Sequence, residues 1–234
     1  MDNHANQLNQ HAAGWYQFAL SANIKKDKVS TFNYFDTSFV CYRSSDNRVN
    51  IFDAYCPHMG AHLGIGGKIE NDLLICPFHG WKYSSAGDCV QIPYCSHIPK
   101  RARLRGYPVK ELNSFIYILY QPNTADISAD DDLSIIAENR FMKLISTQIK
   151  LPALEKLIAW AKSDYDFHPY EAGLLLRKFQ NIYCLLATTP INKDTYTLSF
   201  SFAADLACHP LQLFSLKIRL RQQYKFLLKQ AGAI

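Results

Sequence analysis

The stretch CPHMGAHLGIGGKIENDLLICPFHGW, residues 56–81, contains two short pairs, each made of one cysteine and one histidine. One residue separates Cys56 from His58, two separate Cys76 from His79, and residues 59–75 lie between the pairs. Thiolate and imidazole ligands together suit zinc or iron–sulfur chemistry. A structural zinc site more often takes two closely spaced cysteines and then two closely spaced histidines. The mixed pairs favour a two-iron cluster with two thiolates on one iron and two imidazoles on the other; structural zinc and unligated side chains are the alternatives.

The sequence around this stretch predicts an all-β domain. The segments GWYQFAL at 14–20, RVNIFDAY at 48–55 and FIYILY at 115–120 are rich in aromatic and β-branched residues. Glycines fall between the predicted strands, where tight turns need a residue without a Cβ atom. These features are typical of a small β-barrel or sandwich over residues 14–122. The two cysteine and histidine pairs are then expected on glycine-rich loops at one tip of that domain.

Residues 123–234 predict a second domain that mixes helices with strands, so the whole chain is predicted to be α+β. The polar stretch QPNTADISADDD at 121–132 is typical of a solvated linker. Helices are predicted at 151–162 and 210–230, and two strands joined by a turn are predicted within 183–203. The second helix is amphipathic. Its predicted apolar face consists of Leu213, Leu216, Leu220, Tyr224 and Leu227.

The composition favours a cytoplasmic protein of one or two domains. The chain has 234 residues, 48% of them hydrophobic, and its net charge of +5 is too small to indicate nucleic acid binding. Residues 1–13 predict a disordered tail rather than a signal peptide, and no apolar run reaches the about 18 residues that span a bilayer. Seven cysteines, an odd number, argue against a complete disulfide framework. The cysteines outside the pairs, expected to be small buried side chains, are Cys41, Cys89, Cys95, Cys184 and Cys208.

The N-terminal half resembles the Rieske 2Fe–2S domain of the Rieske non-haem iron oxygenase family. The resemblance runs from GWY at 14–16, through both pairs, to the proline loop VQIPY at 90–94. It implies a 2Fe–2S cluster with the four residues of the two pairs as ligands. Cys56 and Cys76 would hold one iron, and His58 and His79 would hold the other.

Neighbouring positions indicate which branch of the family the chain resembles. Respiratory Rieske proteins join two further cysteines in a disulfide, and here those positions are Ala61 and Phe78. Those proteins also have a serine where this chain has Trp81. CPHMGAHL and CPFHGWKY resemble the oxygenase branch, and its steroid- and sterol-acting members most closely. Without the serine hydroxyl as a hydrogen-bond donor to the cluster, we expect a reduction potential at the low end of the Rieske range, about −150 mV.

The resemblance also implies a catalytic domain, but its iron ligands are missing. Family members hold a mononuclear iron with two histidines from a helical segment and a later carboxylate. In SDYDFHPYEAG, residues 163–173, Asp164 matches the family aspartate that links cluster to iron across subunits, whereas Phe167 and Ala172 occupy the histidine positions. No Asp or Glu follows Asp205, which comes too early to be the carboxylate. The resemblance therefore implies a truncated, degenerate oxygenase domain without mononuclear Fe(II), in which Asp164 alone keeps an electron-bridging role.

An alternative iron site would combine His168 and His209 with Asp164, or with Asp166 or Glu171. His168 lies one position beyond the family's ligand position, and one residue of a helix rotates a side chain by about 100°. We therefore expect His168 to point away from that site. His209 precedes Pro210 at the predicted start of a helix, where a surface histidine explains it equally well.

Two groups of basic residues bear on what kind of partner the protein binds. Past the proline loop they are Lys100, Arg101, Arg103 and Arg105, and the last predicted helix is also basic. Such residues are typical of a solvated surface. They would equally favour docking of an acidic electron donor, a reductase or ferredoxin, or attachment of the last helix to a membrane surface.

Two functional hypotheses remain. The first is a redox relay or accessory subunit that carries a Rieske cluster and serves a catalytic oxygenase subunit. The second is an active oxygenase that hydroxylates or desaturates an apolar substrate, with unusual iron ligands or with iron bound at the interface of a homo-oligomer. The family resemblance implies a trimer in that case. A standalone Rieske ferredoxin is a third reading, which the long C-terminal half does not favour.

Overall fold

The computed structural model describes residues 11–122, 133–163, 165–180, 182–204 and 210–232. They divide into two compact units: Ala19–Ile118 forms one, and the flanking parts, up to Phe18 and from Leu119 onward, form the other. Most of the predicted tail at 1–13 and of the predicted linker at 121–132 lies outside the described residues. Among the described helices, none is long and apolar enough to cross a membrane.

The N-terminal half consists of short antiparallel strands. They are β1 (Gly14–Leu20), β2 (Ser30–Tyr34), β3 (Thr37–Arg43), β4 (Val49–Asp53), β5 (Lys68–Glu70), β6 (Leu73–Ile75), β7 (Lys82–Tyr83), β8 (Cys89–Gln91), β9 (Val109–Leu112) and β10 (Phe115–Tyr120). The strand orders are β1-β10-β9, β2-β3-β4 and β5-β6-β7-β8. A two-residue turn joins β5 to β6, where Asn71 and Asp72 have φ angles of 52° and 62°. Asn and Asp tolerate this left-handed conformation, and the resulting tight hairpin fixes the register between the two ligand loops.

The core of the unit Ala19–Ile118 lies between the strands and directly beneath the loops that carry the cysteines. Val40, Phe52, Leu74 and Tyr83 are each 2% exposed or less and pack in one cluster. Cys56 and Cys76 belong to the same cluster. The apolar residues of β3, β4 and β6 thus bury the two thiols from below.

The C-terminal unit is one five-stranded antiparallel sheet with helices. Its elements are α1 (Ser134–Glu138), β11 (Met142–Lys150), α2 (Leu151–Ser163), β12 (His168–Glu171), β13 (Leu174–Phe179), β14 (Ile182–Asn192), β15 (Thr195–Ala204) and α3 (Pro210–Gln230). The strand order is β11-β15-β14-β13-β12. Leu154 and Leu157 of α2 and Leu228 of α3 pack with Leu186 and Phe200 of the sheet. The predicted α+β class is confirmed, as are both long helices and the hairpin whose turn includes Lys193 and Asp194.

The expectation of a helix within residues 163–173 is wrong. The helix α2 ends at Ser163, and His168–Glu171 forms the edge strand β12, paired with β13. Pro169 accounts for this difference, because a proline pushes the preceding residue, His168, out of the helical region. The expected helical rotation of His168 therefore does not apply. Phe167 is nonetheless buried at 4% exposure while His168 is exposed.

Candidate metal centre

Two loops of matching shape present the cysteine and histidine pairs. The first joins β4 to β5 and the second joins β6 to β7. In each loop the cysteine carbonyl accepts a hydrogen bond from the amide of a glycine four residues later, Gly60 to Cys56 at 2.9 Å and Gly80 to Cys76 at 3.1 Å. Both glycines have a left-handed φ, 71° and 68°. The repeated turn explains why each pair is followed by a glycine at that position.

A second backbone hydrogen bond closes each loop. The Cys56 amide donates to the Ala61 carbonyl at 2.9 Å, and the Cys76 amide donates to the Trp81 carbonyl at 2.9 Å. Each cysteine is thus held through both its amide and its carbonyl. The loops are rigid at the thiols, and the histidines project beyond them.

The four predicted ligands come together, with sulfur inside and nitrogen outside. Cys56 and Cys76 are each 3% exposed, His79 is half-buried, and His58 is exposed. The imidazole rings of His58 and His79 meet edge to face, with centroids 4.8 Å apart. Two thiols and two imidazoles are the donor set that would hold a two-iron cluster, with the thiols toward the core and the imidazoles toward solvent.

The chemistry of the thiols also fits a metal cluster. Burial, together with the neighbouring Cys76 thiol, raises the pKa of the Cys56 thiol despite the hydrogen bond from Tyr83. A bound metal would favour the thiolate form of Cys56, because the metal supplies a positive charge. Within the described ranges, no set of three or more His, Cys, Asp or Glu side chains is arranged to hold a single ion. Two thiols and two imidazoles are the side chains with which a cluster with two protein ligands on each iron would be held.

Tyr83 is a site residue that the sequence reasoning missed. Its hydroxyl oxygen lies 3.0 Å from the Cys56 sulfur, and the side chain is fully buried in β7. Burial and the adjacent thiol raise the pKa of Tyr83 far above its ordinary value. The phenol therefore keeps its proton and can donate it to a Cys56 thiolate. The sequence analysis expected no hydroxyl donor because it considered only the position of Trp81. The tyrosine two residues later, Tyr83, was the sequence signal for such a donor.

Trp81 covers one face of the His58 ring and is itself hydrogen-bonded to Tyr94. The Trp81 ring stacks on the His58 ring, with centroids 4.4 Å apart and an interplanar angle of 12°. The indole N–H of Trp81 donates to the Tyr94 hydroxyl at 2.8 Å. Trp81 itself is 6% exposed, whereas Tyr94 is 62% exposed.

The surface around the two imidazoles is apolar. Met59 and Phe78, next to the predicted ligands in sequence, are 66% and 62% exposed.

The basic residues past the proline loop differ in the contacts that they make. Arg103 pairs with Asp88 at 3.3 Å, and the guanidinium of Arg105 lies 5.1 Å above the Tyr107 ring.

Of the alternative iron residues, the described part of the chain includes His168, Asp166 and Glu171. Asp164 and His209 lie outside the described ranges. The side chains of His168 and Asp166 are 72% and 77% exposed, and His168 Nε2 lies 3.1 Å from Asp166 Oδ1 at the surface. Phe167 instead lines a small apolar crevice that is partly open to solvent. The lining has no metal-binding carboxylate, imidazole or thiol; it consists of Leu157, Trp160, Ala161, Tyr165, Phe167, Leu186, Phe200, Tyr224 and Leu227.

The remaining cysteines follow the expectation with one exception. Cys41, Cys89 and Cys184 are buried, and burial raises the pKa of each thiol. Cys95 is exposed, against the prediction, because it lies on the proline loop beside Tyr94. Cys208 lies outside the described residues.

Comparison with known proteins identifies the N-terminal domain. Residues 14–108 match the family model of the Rieske [2Fe-2S] domain. A cholesterol 7-desaturase of Ciona intestinalis is 35% identical over 129 residues, which are 55% of this chain and 27% of that protein. A probable 3-ketosteroid-9-alpha-monooxygenase, oxygenase component, of Rhodococcus rhodochrous is 34% identical over 113 residues, 48% of this chain and 28% of that protein. The matched part of the chain thus spans about a quarter of the length of these relatives.

Solved structures extend the likeness to the C-terminal unit. Apo dicamba monooxygenase superposes with a TM-score of 0.70 at 18% identity, covering 93% of this chain and 83% of that one. The oxygenase in the ferredoxin complex of carbazole 1,9a-dioxygenase gives a TM-score of 0.67 at 14% identity, covering 97% and 80%. At these identities the comparison establishes the fold: a Rieske domain followed by an oxygenase-like α+β region.

Proposed function

Because residues 14–108 form a Rieske [2Fe-2S] domain, which binds a 2Fe–2S cluster, we propose that the protein is an electron-transfer component of an oxygenase system. In this proposal Cys56 and Cys76 hold one iron, and His58 and His79 hold the other. The observation that carries it is the pair of matching loops with buried thiols and outward imidazoles. When bound, the cluster accepts and releases one electron at a time.

The protein's own residues divide the work around that cluster. Tyr83 donates a hydrogen bond to the Cys56 thiolate, and the apolar core keeps water from the sulfur side. The exposed side of His58 gives a partner close access to the centre. Met59 and Phe78 surround it with an apolar surface suited to a transient contact.

The partner we propose as electron donor is a ferredoxin or reductase. The solved carbazole 1,9a-dioxygenase complexes pair an oxygenase of similar fold with a ferredoxin, which supports a donor of that kind here. The acceptor is then a catalytic oxygenase subunit or another copy of this chain in a trimer. Asp164, which matches the family's bridging aspartate, keeps its proposed role in that contact. The free buried cysteines of the described residues suit the cytoplasm predicted from the sequence.

We further propose that the C-terminal unit holds no mononuclear iron of its own. The Phe167 side chain is buried in an apolar crevice, where the family has an iron-binding histidine. The neighbouring His168 points to solvent beside Asp166. A phenyl ring offers iron no lone pair, so this crevice supports packing rather than oxygen activation.

A second candidate function is an active oxygenase. Its support is the oxygenase-like fold, which extends over 93% of the chain in the comparison with dicamba monooxygenase. The relatives named cholesterol 7-desaturase and 3-ketosteroid-9-alpha-monooxygenase favour an apolar, steroid-like substrate. The iron would then be bound by His168, His209 and Asp164, or at an interface between copies.

Counting iron and acid-labile sulfide per chain separates the two candidates. Two irons and two sulfides with the visible absorption and rhombic electron paramagnetic resonance (EPR) signal of a Rieske cluster are expected. A third iron that disappears in His168→Ala while the cluster remains would overturn the relay and support the oxygenase. Zinc without visible absorption would overturn both. The variant His62→Ala is the control for the removal of a histidine. His62 lies in the first loop, where it accepts a hydrogen bond from the Gly64 amide instead of facing His79.

A further inference from the structure

We infer that Tyr94 is a positioning residue, which fastens the loop of residues 92–99 to Trp81 and so holds the Trp81 ring against His58. The inference rests on the proposed ligand role of His58. It assigns a task to an exposed tyrosine that neither binds the cluster nor belongs to the core. This loop continues the proline loop of residues 90–94, so the name proline loop covers residues 90–99.

The contacts of Tyr94 run inward from the surface. Its ring is 62% exposed, yet its hydroxyl accepts the indole N–H of the 6% exposed Trp81 at 2.8 Å. That indole ring lies parallel to the His58 ring at 4.4 Å. The Tyr94 ring also meets the His79 ring edge to face, with centroids 6.4 Å apart. One side chain of the proline loop thus approaches His79 directly and is linked to His58 through Trp81.

The proline loop is attached to the core by Ile92, which is buried, and by Ile98, which packs against the core. Its own backbone closes with one long hydrogen bond, from the Cys95 amide to the Ile92 carbonyl at 3.3 Å. Pro93 packs over Gly80, where an added Cβ atom would meet the proline ring at 3.1 Å. Because Gly80 ends the second ligand loop, the position of the proline loop is coupled to both ligand loops. The hydroxyl of Tyr94 is the polar anchor in this contact.

Loss of that anchor changes the surroundings of the cluster without changing a ligand. When the proline loop opens, the stacked indole is free to turn, and water reaches the face of the His58 ring that Trp81 covers. The reduced cluster carries one more negative charge than the oxidised cluster, so added water favours the reduced form and raises the potential. A residue that only stabilised the fold would leave the potential unchanged.

The test is Tyr94→Phe, which keeps the ring and removes the hydroxyl. Amide hydrogen exchange at Cys95 is expected to accelerate about fivefold, the opening that one lost hydrogen bond permits. The redox equilibrium of the cluster is expected to shift toward the reduced form by about twofold or more, measured by EPR-monitored titration. Tyr55→Phe is the matched control, an exposed tyrosine at the same tip whose ring contacts His62 instead of a predicted ligand.

A double-mutant cycle shows whether the effect passes through the Trp81 bond. Trp81→Phe keeps an aromatic ring beside His58 but has no N–H to donate. In that background, Tyr94→Phe is expected to change neither exchange nor potential. An equal effect in both backgrounds, or unchanged exchange and potential in Tyr94→Phe, overturns the inference. Exchange at Cys95 is measured in the metal-free protein as well, so its result stands apart from whether the proposed cluster ligands are correct.

Discussion

The Tyr83 hydroxyl lies 3.0 Å from the sulfur of Cys56, a residue 27 positions earlier in the chain. Both side chains are buried, so this contact is not shared with solvent. A hydrogen bond to a cluster thiolate is stronger when the cluster is reduced and more negative. With Cys56 as a cluster ligand, as proposed, we expect Tyr83 to raise the reduction potential and to replace in part the donor that Trp81 cannot provide.

Tyr83→Phe is expected to lower the reduction potential of the cluster. If the bond is about 1 kcal/mol stronger in the reduced state, the shift is about 40 mV, since a tenfold change in equilibrium is 59 mV for one electron. Protein-film voltammetry measures it. Tyr42→Phe is the control, because Tyr42 lies in the same core but bonds the Asp72 carbonyl at 3.2 Å. Equal shifts in the two variants would exclude a specific role for Tyr83.

The two loop glycines predict different outcomes for the same substitution. Gly60 and Gly80 both have a left-handed φ, so alanine strains either backbone by about 1 kcal/mol. At Gly60 nothing lies within 4 Å of the added Cβ atom, whereas at Gly80 it meets Pro93 at 3.1 Å. We expect Gly60→Ala to keep most of its cluster and Gly80→Ala to lose more of it. Iron and sulfide content after purification measures this, and equal loss in both variants would contradict the role of the Pro93 contact.

A partly buried ion pair predicts how stability depends on pH. Arg43, 8% exposed in its side chain, bonds Glu111 at 2.8 Å. Burial raises the pKa of Glu111, but hydrogen bonds from Arg43 and Ser21 outweigh it and leave the pKa below the ordinary value of 4.5. The unfolded chain therefore binds more protons between the two pKa values. The stabilising contribution is present above pH 4.5 and is lost as pH falls through the lowered pKa.

Glu111→Gln is expected to remove that part of the acid sensitivity. At pH 7 the variant should lose about 1 kcal/mol of unfolding free energy, a modest value because a third of the Glu111 side chain is exposed. The difference in stability between variant and wild type should narrow below pH 4.5. Urea unfolding at a series of pH values measures both effects. Glu70→Gln, which breaks the exposed pair with Lys68, should leave stability at pH 7 nearly unchanged. A gap that widens in acid would reverse the assigned sign.

Local patterns predicted the loops and helices well. The turn at each ligand loop needs only a cysteine, a histidine and a glycine within a few residues, and all three are legible in the sequence. The apolar repeat of α3 placed Tyr224 and Leu227 in the core, where they are 5% and 7% exposed. Both features depend on neighbours in sequence, so spacing is sufficient to find them.

Contacts between distant residues escaped the same reasoning. The Tyr83–Cys56 contact depends on how β7 aligns with its neighbours, and Cys95 is exposed because of the path of the proline loop. The family pattern predicted a helix where the structure has the strand β12. The local signal against that helix was Pro169, which disfavours the helical conformation of the residue before it. Register and loop path are set by tertiary packing, which residue spacing does not specify.

Phe167→Ala tests whether the C-terminal crevice serves packing. Phe167 is 4% exposed and belongs to the hydrophobic core formed by side chains of α2, α3 and the sheet. Truncation of a buried phenylalanine removes about 3–5 kcal/mol of stability. We expect a large fall in the unfolding midpoint of the C-terminal unit, which calorimetry measures. The absorption of the Rieske cluster and the iron count per chain should stay unchanged.

Phe179→Ala provides the comparison, because Phe179 is 54% exposed and lies beneath the guanidinium of Arg177 at the surface. Its loss should be much smaller, at most about 1 kcal/mol. A Phe167→Ala protein of normal stability would show that the crevice is not part of the core. If that variant instead lost bound iron while both units remained folded, Phe167 would border a metal site, and the proposal that this unit holds no mononuclear iron would fail.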